Sequence, residues 1–255
     1  MSYKYKLYGA ILGDLAGQPY EFKYKGDYSE FNIHDPKAHI TDDTVMTLAS
    51  AAYLLGMFGT PGEAYKEIGR KYPEAGYGAG FKAWLQTPHN TINDSWANGC
   101  LMRISPFMYL DLRNSKTKEL IVESCMNSHN HAKSFIAVLD LHILYKMSEY
   151  YSDSDFVKNK TNRIERFKKF NKFDVSAEGT FNFIKEAAFQ SYSTTLAIEN
   201  TIKCGGDTDT NASIIAELSN YAYKDITEQD AQYVESKLDP YLLGILHEFN
   251  NKEQL

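Results

Sequence analysis

The apolar positions of this chain of 255 residues recur three and four apart, the spacing that gathers them on one face of an α-helix. Leu7, Ala10, Ile11 and Leu15 form one such face, and Val45, Leu48, Ala49, Ala52 and Leu55 form a second. Ile136, Val138, Leu139, Ile143, Leu144 and Met147 make a longer one behind His131. Ala187, Ala188, Leu196 and Ile198 fall in two helices separated near Ser191–Ser193, and Ala212, Ile215, Ala216 and Leu218 form the last face. Alternating runs bounded by hairpin turn residues are scarce. The pattern predicts an all-α protein, a compact orthogonal multi-helix bundle of about ten to thirteen helices of ordinary length. Breaks are expected at Gly59–Pro61, Pro73–Gly80, Thr87–Asp94 and Asp239–Pro240. Asn250 to Leu255 are expected to fray. With no internal repeat and no low-complexity stretch, the chain reads as one domain over residues 1–255.

Composition narrows the class. Hydrophobic residues are 43% of the chain, ordinary for a soluble globular protein. The formal net charge of −6 disfavours a general nucleic-acid binder, without speaking to a local basic patch. One stretch, Asp153 to Lys172, is rich in charge, with Lys158, Lys160, Arg163, Arg166, Lys168, Lys169 and Lys172. It reads as a solvated helix face. The other reading is a docking surface for an acidic target or nucleic acid. Lys4 and Lys6 ahead of the apolar run Tyr8 to Leu12 resemble the start of a signal peptide, but Asp14 interrupts the run and no cleavage site follows. Nothing is long and apolar enough to span a membrane. Cys100, Cys125 and Cys204 lack metal-type spacing and read as reduced thiols of a cytoplasmic protein.

Two acidic segments carry the chemistry. Thr41-Asp42-Asp43-Thr44 opens the helix from Val45, and Gly205-Gly206-Asp207-Thr208-Asp209-Thr210 opens another far along the chain. Each alone is ordinary helix-start chemistry, a capping hydroxyl with acids in the first turn. Together they supply hard oxygen ligands suited to Mg²⁺ or Mn²⁺. If the two segments meet, each pair of carboxylates about 4 Å apart repels by about 4 kcal/mol at an effective dielectric near 20. A helix N-terminus offsets only about 0.3–1 kcal/mol per charge, so divalent cations would have to balance the rest.

Four further segments are candidates. Gly13-Asp14-Leu15-Ala16-Gly17-Gln18-Pro19-Tyr20-Glu21 places one acid inside an apolar run and one just past it; the bland readings are an outward-facing polar residue and a surface acid. Ala75-Gly76-Tyr77-Gly78-Ala79-Gly80-Phe81 has glycines at alternate positions, either a plain turn or a close backbone approach to phosphate oxygens, with a helix expected from Phe81. In Asn93 to Arg103, Asn98 and Gly99 are candidates for a nucleotide pocket, and Arg103 for a buried structural ion pair. His129 and His131, two apart, do not share a helix face and read as a loop or cap. His129 reads either as a diphosphate or adenine contact or as a satisfied structural histidine.

In order, these segments resemble the ADP-ribosylglycohydrolase family of the dinitrogenase-reductase-activating glycohydrolase type, from about Tyr8 to about Leu218. GDLAGQPYEF resembles the family's opening motif, TDDT and GGDTDT its two metal motifs, GYGAGFKAWL and SWANGCLMRISP its substrate loops, and SHNHAKS its histidine segment. SAEGTFNFIKEAAFQSYSTTLAI resembles the helices leading into the second metal motif. The resemblance implies an all-α fold with a binuclear magnesium cleft, sometimes manganese. It implies Thr41, Asp42, Asp43, Asp207, Asp209 and Thr210 as metal ligands. Glu21 would be a ligand, gate or general base, with Asp43 and Asp209 sharing the catalytic work, and Asp14 would stand behind the ligands at the substrate site. Gly78, Ala79 and Gly80 would cradle the diphosphate, and Ser95, Trp96, Asn98 and Gly99 would contact the ribose and phosphate region, with His129 a diphosphate or adenine contact. The implied activity is hydrolysis of the glycosidic bond between ADP-ribose and a modified protein side chain or small-molecule conjugate, releasing ADP-ribose. An ADP-ribose-binding protein without turnover and a magnesium-dependent phosphoesterase or nucleotide hydrolase are the alternatives. Ala97, Cys100 and Leu101 depart from the family pattern, as do the short chain and the absence of a glycine-rich continuation after Thr210. These departures bear on pocket shape and substrate, while the metal motifs stay intact.

Overall fold

The computed structural model describes residues 4–22, 31–111, 114–151, 173–188 and 190–252, with backbone alone at 149–151. The charge-rich stretch from Asp153 to Lys172 lies outside the described residues. The described residues form twelve α-helices: α1 (Tyr8–Gly17), α2 (Asp42–Leu54), α3 (Pro61–Lys71), α4 (Ala79–Leu85), α5 (Gly99–Met102), α6 (Ser115–Met126), α7 (Ala132–Tyr151), α8 (Ala177–Ala187), α9 (Thr194–Cys204), α10 (Thr208–Tyr223), α11 (Glu228–Ser236) and α12 (Pro240–Asn251). Among the described residues, β structure is limited to two isolated bridges, Asp94 with His129 and Ala97 with Ser176. The protein is all-α, as the periodicity requires. The expected breaks fall between helices, although α4 begins at Ala79 rather than Phe81 and α12 stays helical through Asn251.

Capping explains most of the starts. Thr41, Thr60, Asn114, Ser176, Ser193, Thr227 and Asp239 each accept a hydrogen bond from a first-turn amide. Pro61 and Pro240 stand in the first turn, where a missing N–H goes unnoticed.

Helix α1 is buried on every side, all ten residues of it. It packs against α2, α9, α10 and α11. The seam with α10 is lined by Gly9, Gly13 and Gly17, one per turn. A Cβ on Gly13 would sit 2.2 Å from the Ala212 carbonyl oxygen, and one on Gly17 2.3 Å from that of Thr208. Only glycine lets the two backbones approach this closely. Glu217 of α10 locks the seam, accepting hydrogen bonds from the Leu7 and Ala10 amides at 2.8 and 2.9 Å and from the Tyr109 hydroxyl. These amides are among the first-turn donors that α1 cannot satisfy itself.

The core divides in two around α10. Ala212 and Ala216 face a cluster built on α1, α2, α3, α11 and α12, whereas Ile214, Ile215, Leu218 and Tyr221 face one built on α5, α7 and α8. The apolar face read for α7 needs correction. Ile136, Ile143 and Met147 are exposed, and the buried side is Ser134, Ala137, Val138, Leu141, Leu144, Tyr145 and Ser148. Hydroxyls that bond inward account for the shift: Ser134 donates to the Ser95 carbonyl and Ser148 to that of Tyr145.

Candidate active site

Three chain segments converge at one end of the α1–α10 seam. The C-terminal end of α1, continued by a 3-10 turn over Gln18–Tyr20, delivers Glu21. The first turn of α2 delivers Asp42 and Asp43, and the first turn of α10 delivers Asp207, Asp209 and Thr210. The approach to α10 runs through Gly205 and Gly206 at φ 74° and 86°, in the left-handed region that other residues avoid.

Asp14 fixes the first two segments together. Its carboxylate is fully buried and accepts from the Thr41 amide and hydroxyl at 2.9 and 2.8 Å. It also accepts from the Thr44 amide and hydroxyl at 3.2 and 2.5 Å. The third segment joins through the Thr210 hydroxyl, which donates to Asp43 Oδ2 at 3.1 Å. The two acidic motifs, 167 positions apart at that bond, therefore form one site. Asp207 is the N-cap of α10, yet its side chain does not cap; it instead accepts from Asn98 Nδ2 at 2.6 Å. Glu21, Asp207 and Asp209 each present an oxygen within 4.8 Å of the others.

The electrostatics follow from this crowding. Burial first, and then the neighbouring carboxylates, push Glu21 and Asp42 up to about 7. The same causes hold Asp43 and Asp209 well above the usual carboxylate range. Among the described residues no lysine, arginine or histidine forms a salt bridge with any of them. One oxygen, Asp43 Oδ1, is buried without a hydrogen-bond partner among the described residues. A cluster of hard oxygen donors short of positive charge, with an orphaned carboxylate oxygen, fits a small divalent cation.

The acids form one end of a cavity of about 340 Å³, the scale of small-molecule sites. Its other walls include Gly76, Gly78, Ala79, Gly80 and Phe81, then Ser95, Ala97, Asn98, Gly99 and Met102, then Arg103 and His129. A Cβ on Gly78 or Gly80 would meet nothing within 4 Å, so the space beside these glycines is open to a ligand. At the acidic end stand Phe22, at φ 62°, and Phe173, their rings 5.1 Å apart.

Most of the residues singled out in the sequence line this cavity: Glu21, Asp42, Asp43, Asp207, Asp209, Thr210, Gly78, Ala79, Gly80, Ser95, Asn98, Gly99 and His129. Three do not. Asp14 lies beneath the acidic turn, where four donors consume its oxygens, rather than against a substrate. Thr41 caps α2, accepting from the Asp43 amide at 3.2 Å. Trp96 is 54% exposed and lies off the cavity, whose lining takes Ser95 and Ala97 on either side of it. Arg103 is not half of an ion pair: it is fully buried, and among the described residues no carboxylate bridges to it. Phe22, Phe81, Met102, Phe173 and Val175 line the cavity without a signal in the sequence beyond their apolar character.

No helix among the described residues is long and apolar enough to cross a membrane. The family model for ADP-ribosylglycohydrolase matches residues 4–146, which hold Asp14, Glu21, the first acidic motif, both substrate loops and His129. Among solved structures, the chain is similar to an ADP-ribosylglycohydrolase-related protein complex with a TM-score of 0.66 and 19% identity, covering 96% of this chain and 98% of that chain. At that identity the likeness speaks to the fold. No curated protein matches the chain in sequence. With more than half of its length matched by the family model, the chain belongs to the ADP-ribosylglycohydrolase family.

Proposed function

We propose that the protein is a magnesium-dependent hydrolase, with manganese as the substitute, that cleaves the glycosidic bond between ADP-ribose and a modified protein side chain or small-molecule conjugate. The observation that carries the reading is the meeting of Asp43 and Thr210, which joins the two acidic motifs in one cavity. Asp42, Asp43, Asp207 and Asp209 would hold two divalent ions, assisted by Glu21 and the hydroxyls of Thr41 and Thr210. When bound, such ions make a water more acidic and hold sugar hydroxyls.

The chain's own residues supply the rest. Glu21, half-buried at the cavity rim beside Asp207 and Asp209, would serve as the general base. It would take the proton from the attacking water as the anomeric carbon develops oxocarbenium character. Asp43 and Asp209, face to face across the two helix mouths, would stabilise that charge. Gly78, Ala79 and Gly80 leave room for the diphosphate, and Ser95, Asn98, Gly99 and His129 form the facing wall. The departing atom is a guanidine nitrogen or a hydroxyl oxygen of the target. Three free, buried thiols suit a cytoplasmic setting.

The test is a panel of arginine-, serine- and nucleic-acid-linked ADP-ribosyl substrates, with Mg²⁺ or with EDTA, read by mass spectrometry. Free ADP-ribose released only with the metal supports the proposal. Undiminished release in EDTA rejects it. AMP-type products would make the protein a phosphoesterase, and tight ADP-ribose binding without release from any substrate would make it a binder.

A further inference from the structure

Among the described residues, Arg103 is the largest fully buried side chain. Its guanidinium lies over the Tyr65 ring at 4.1 Å and faces Phe81 at 5.6 Å. Nη2 donates to the Ser128 hydroxyl and, at 3.4 Å, to the Ser124 carbonyl, and it stands 3.3 Å from His129 Nδ1. The Ser128 hydroxyl is in turn 2.9 Å from the same Nδ1. Nε and Nη1 have no hydrogen-bond partner among the described residues. A cation with spare donors is thus buried beside the cavity wall with no carboxylate to answer it.

The hydrogen bonds decide the state of the histidine. Arginine has donors and no acceptor. Its bond to Nδ1 therefore requires a lone pair there. Arg103 thus makes Nδ1 an acceptor, so the ring proton resides on Nε2. With Nδ1 bare, the Ser128 hydroxyl, which accepts from Arg103, donates its own proton to that nitrogen. Nε2 lies beside Gly99, 3.2 Å from where a Cβ would stand, and both residues line the cavity. Among the described residues none accepts from Nε2. Burial, and then the Arg103 charge, hold the ring well below the usual imidazole value, so it stays neutral. Arg103 is the charge that acts on this ring; the other titratable groups packed on the guanidinium are Tyr65, Cys100 and Cys125.

We propose that Arg103 and Ser128 are positioning residues that fix His129 as a neutral Nε2–H donor aimed at a phosphoryl oxygen of the ligand in the cavity. The proposal rests on the cavity being the ADP-ribose site and adds the device that orients one of its walls. The uncompensated guanidinium serves twice, setting the tautomer and preventing a second proton. A neutral donor serves an anionic ligand at a fixed strength across physiological pH, whereas a titrating imidazole would not.

The experiment uses the full chain with ¹⁵N-labelled histidine and saturating Mg²⁺. Nitrogen spectra of the wild type are expected to show His129 with Nε2 protonated, Nδ1 bare and no titration between about pH 8 and about pH 5.5. Ser128→Ala and Arg103→Met should mix the tautomers, and the latter should bring the ring's titration back into that range. Calorimetry with ADP-ribose should show about tenfold weaker binding for Arg103→Met, the scale of one hydrogen bond to a charged partner. In a His129→Phe background the same substitution should cost nothing more, and His129→Gln, which keeps an N–H donor, should bind nearly as the wild type. Ser128→Ala carries the test if Arg103→Met does not fold. Protonation at Nδ1 in the wild type, or an equal loss on removing Arg103 with and without His129, overturns the relay. A wild type with the expected tautomer and no affinity for ADP-ribose overturns instead the reading of the cavity.

Discussion

Asp42→Asn offers the sharpest test of the acidic site, because it should make the metal-free protein more stable. In the fold the Asp42 carboxyl is pushed up to about 7, by burial and then by Asp14, Asp207 and Glu21, from an ordinary value of 3.8. Below about pH 4 the folded and unfolded chains both carry the proton, and nothing is lost. As the pH rises towards 7, the unfolded chain gives the proton up while the folded chain keeps it, so stability falls. Above 7 the penalty is complete. About three pH units at 1.36 kcal/mol each give an upper bound of about 4 kcal/mol. Asp42 keeps partial contact with solvent, which brings the working figure to about 3 kcal/mol. Asparagine has the same shape and no charge, so the variant escapes the penalty. In EDTA, Asp42→Asn should melt with the wild type near pH 4 and roughly 6–12 °C above it near pH 8. Saturating Mg²⁺ should reverse the order, because the wild type regains a ligand that the variant lacks. Measuring the difference between the two proteins cancels the opposing pH response of the buried histidines His129 and His142, which are held below their usual value. Metal-free melting curves that coincide at pH 8, or a variant weaker at every pH, would refute the account of a cluster starved of positive charge.

Other outcomes follow from the same geometry. Asp209→Ala should abolish Mg²⁺-dependent release of ADP-ribose while melting no lower than the wild type in EDTA near pH 8, because it too sheds a crowded carboxylate, and retained turnover would remove Asp209 from the site. Asn98→Ala frees Asp207 Oδ2 from its 2.6 Å donor and should weaken Mg²⁺ about 10–100-fold, read from the metal's effect on melting. Gly13→Ala drives a methyl against the α10 backbone and should cost about 3 kcal/mol in urea unfolding, whereas Gly80→Ala, beside open space, should leave unfolding within about 1 kcal/mol and weaken ADP-ribose binding. Glu217→Ala strands the Leu7 and Ala10 amides and should cost roughly 2–4 kcal/mol, with no change in the activity of the fraction that folds.

The sequence displays helices well and their partners poorly. The spacing of Val45, Leu48, Ala49 and Ala52 marks a face that is indeed buried, because packing follows apolar periodicity where one side of a helix is wet. It fails for α7, where Ser134 turns inward to a distant carbonyl and Ser148 to its own helix, and isoleucines face out. It also understates α1, whose burial on every side depends on elements distant in the chain. The acidic motifs are legible as paired oxygen donors, but their convergence depends on Gly9, Gly13 and Gly17. Those glycines stand four apart in plain view, and only the partner backbone gives the spacing its meaning. Arg103 shows the reverse case. A buried arginine suggests a carboxylate, and here aromatic faces, a serine and a histidine take that place.

The glycine seam also separates what this protein can vary from what it cannot. With two helix backbones in direct register, inserting one residue into either would turn everything beyond it by about 100° and scatter the cation cradle. Residues 78 to 80 and 95 to 97 stand across the cavity on a helix start and a loop, free of that gearing. Changing those positions should alter what the cavity admits without disturbing the acidic turns. New specificities in this architecture should therefore be sought on the wall opposite the seam, where the scaffold imposes the fewest conditions.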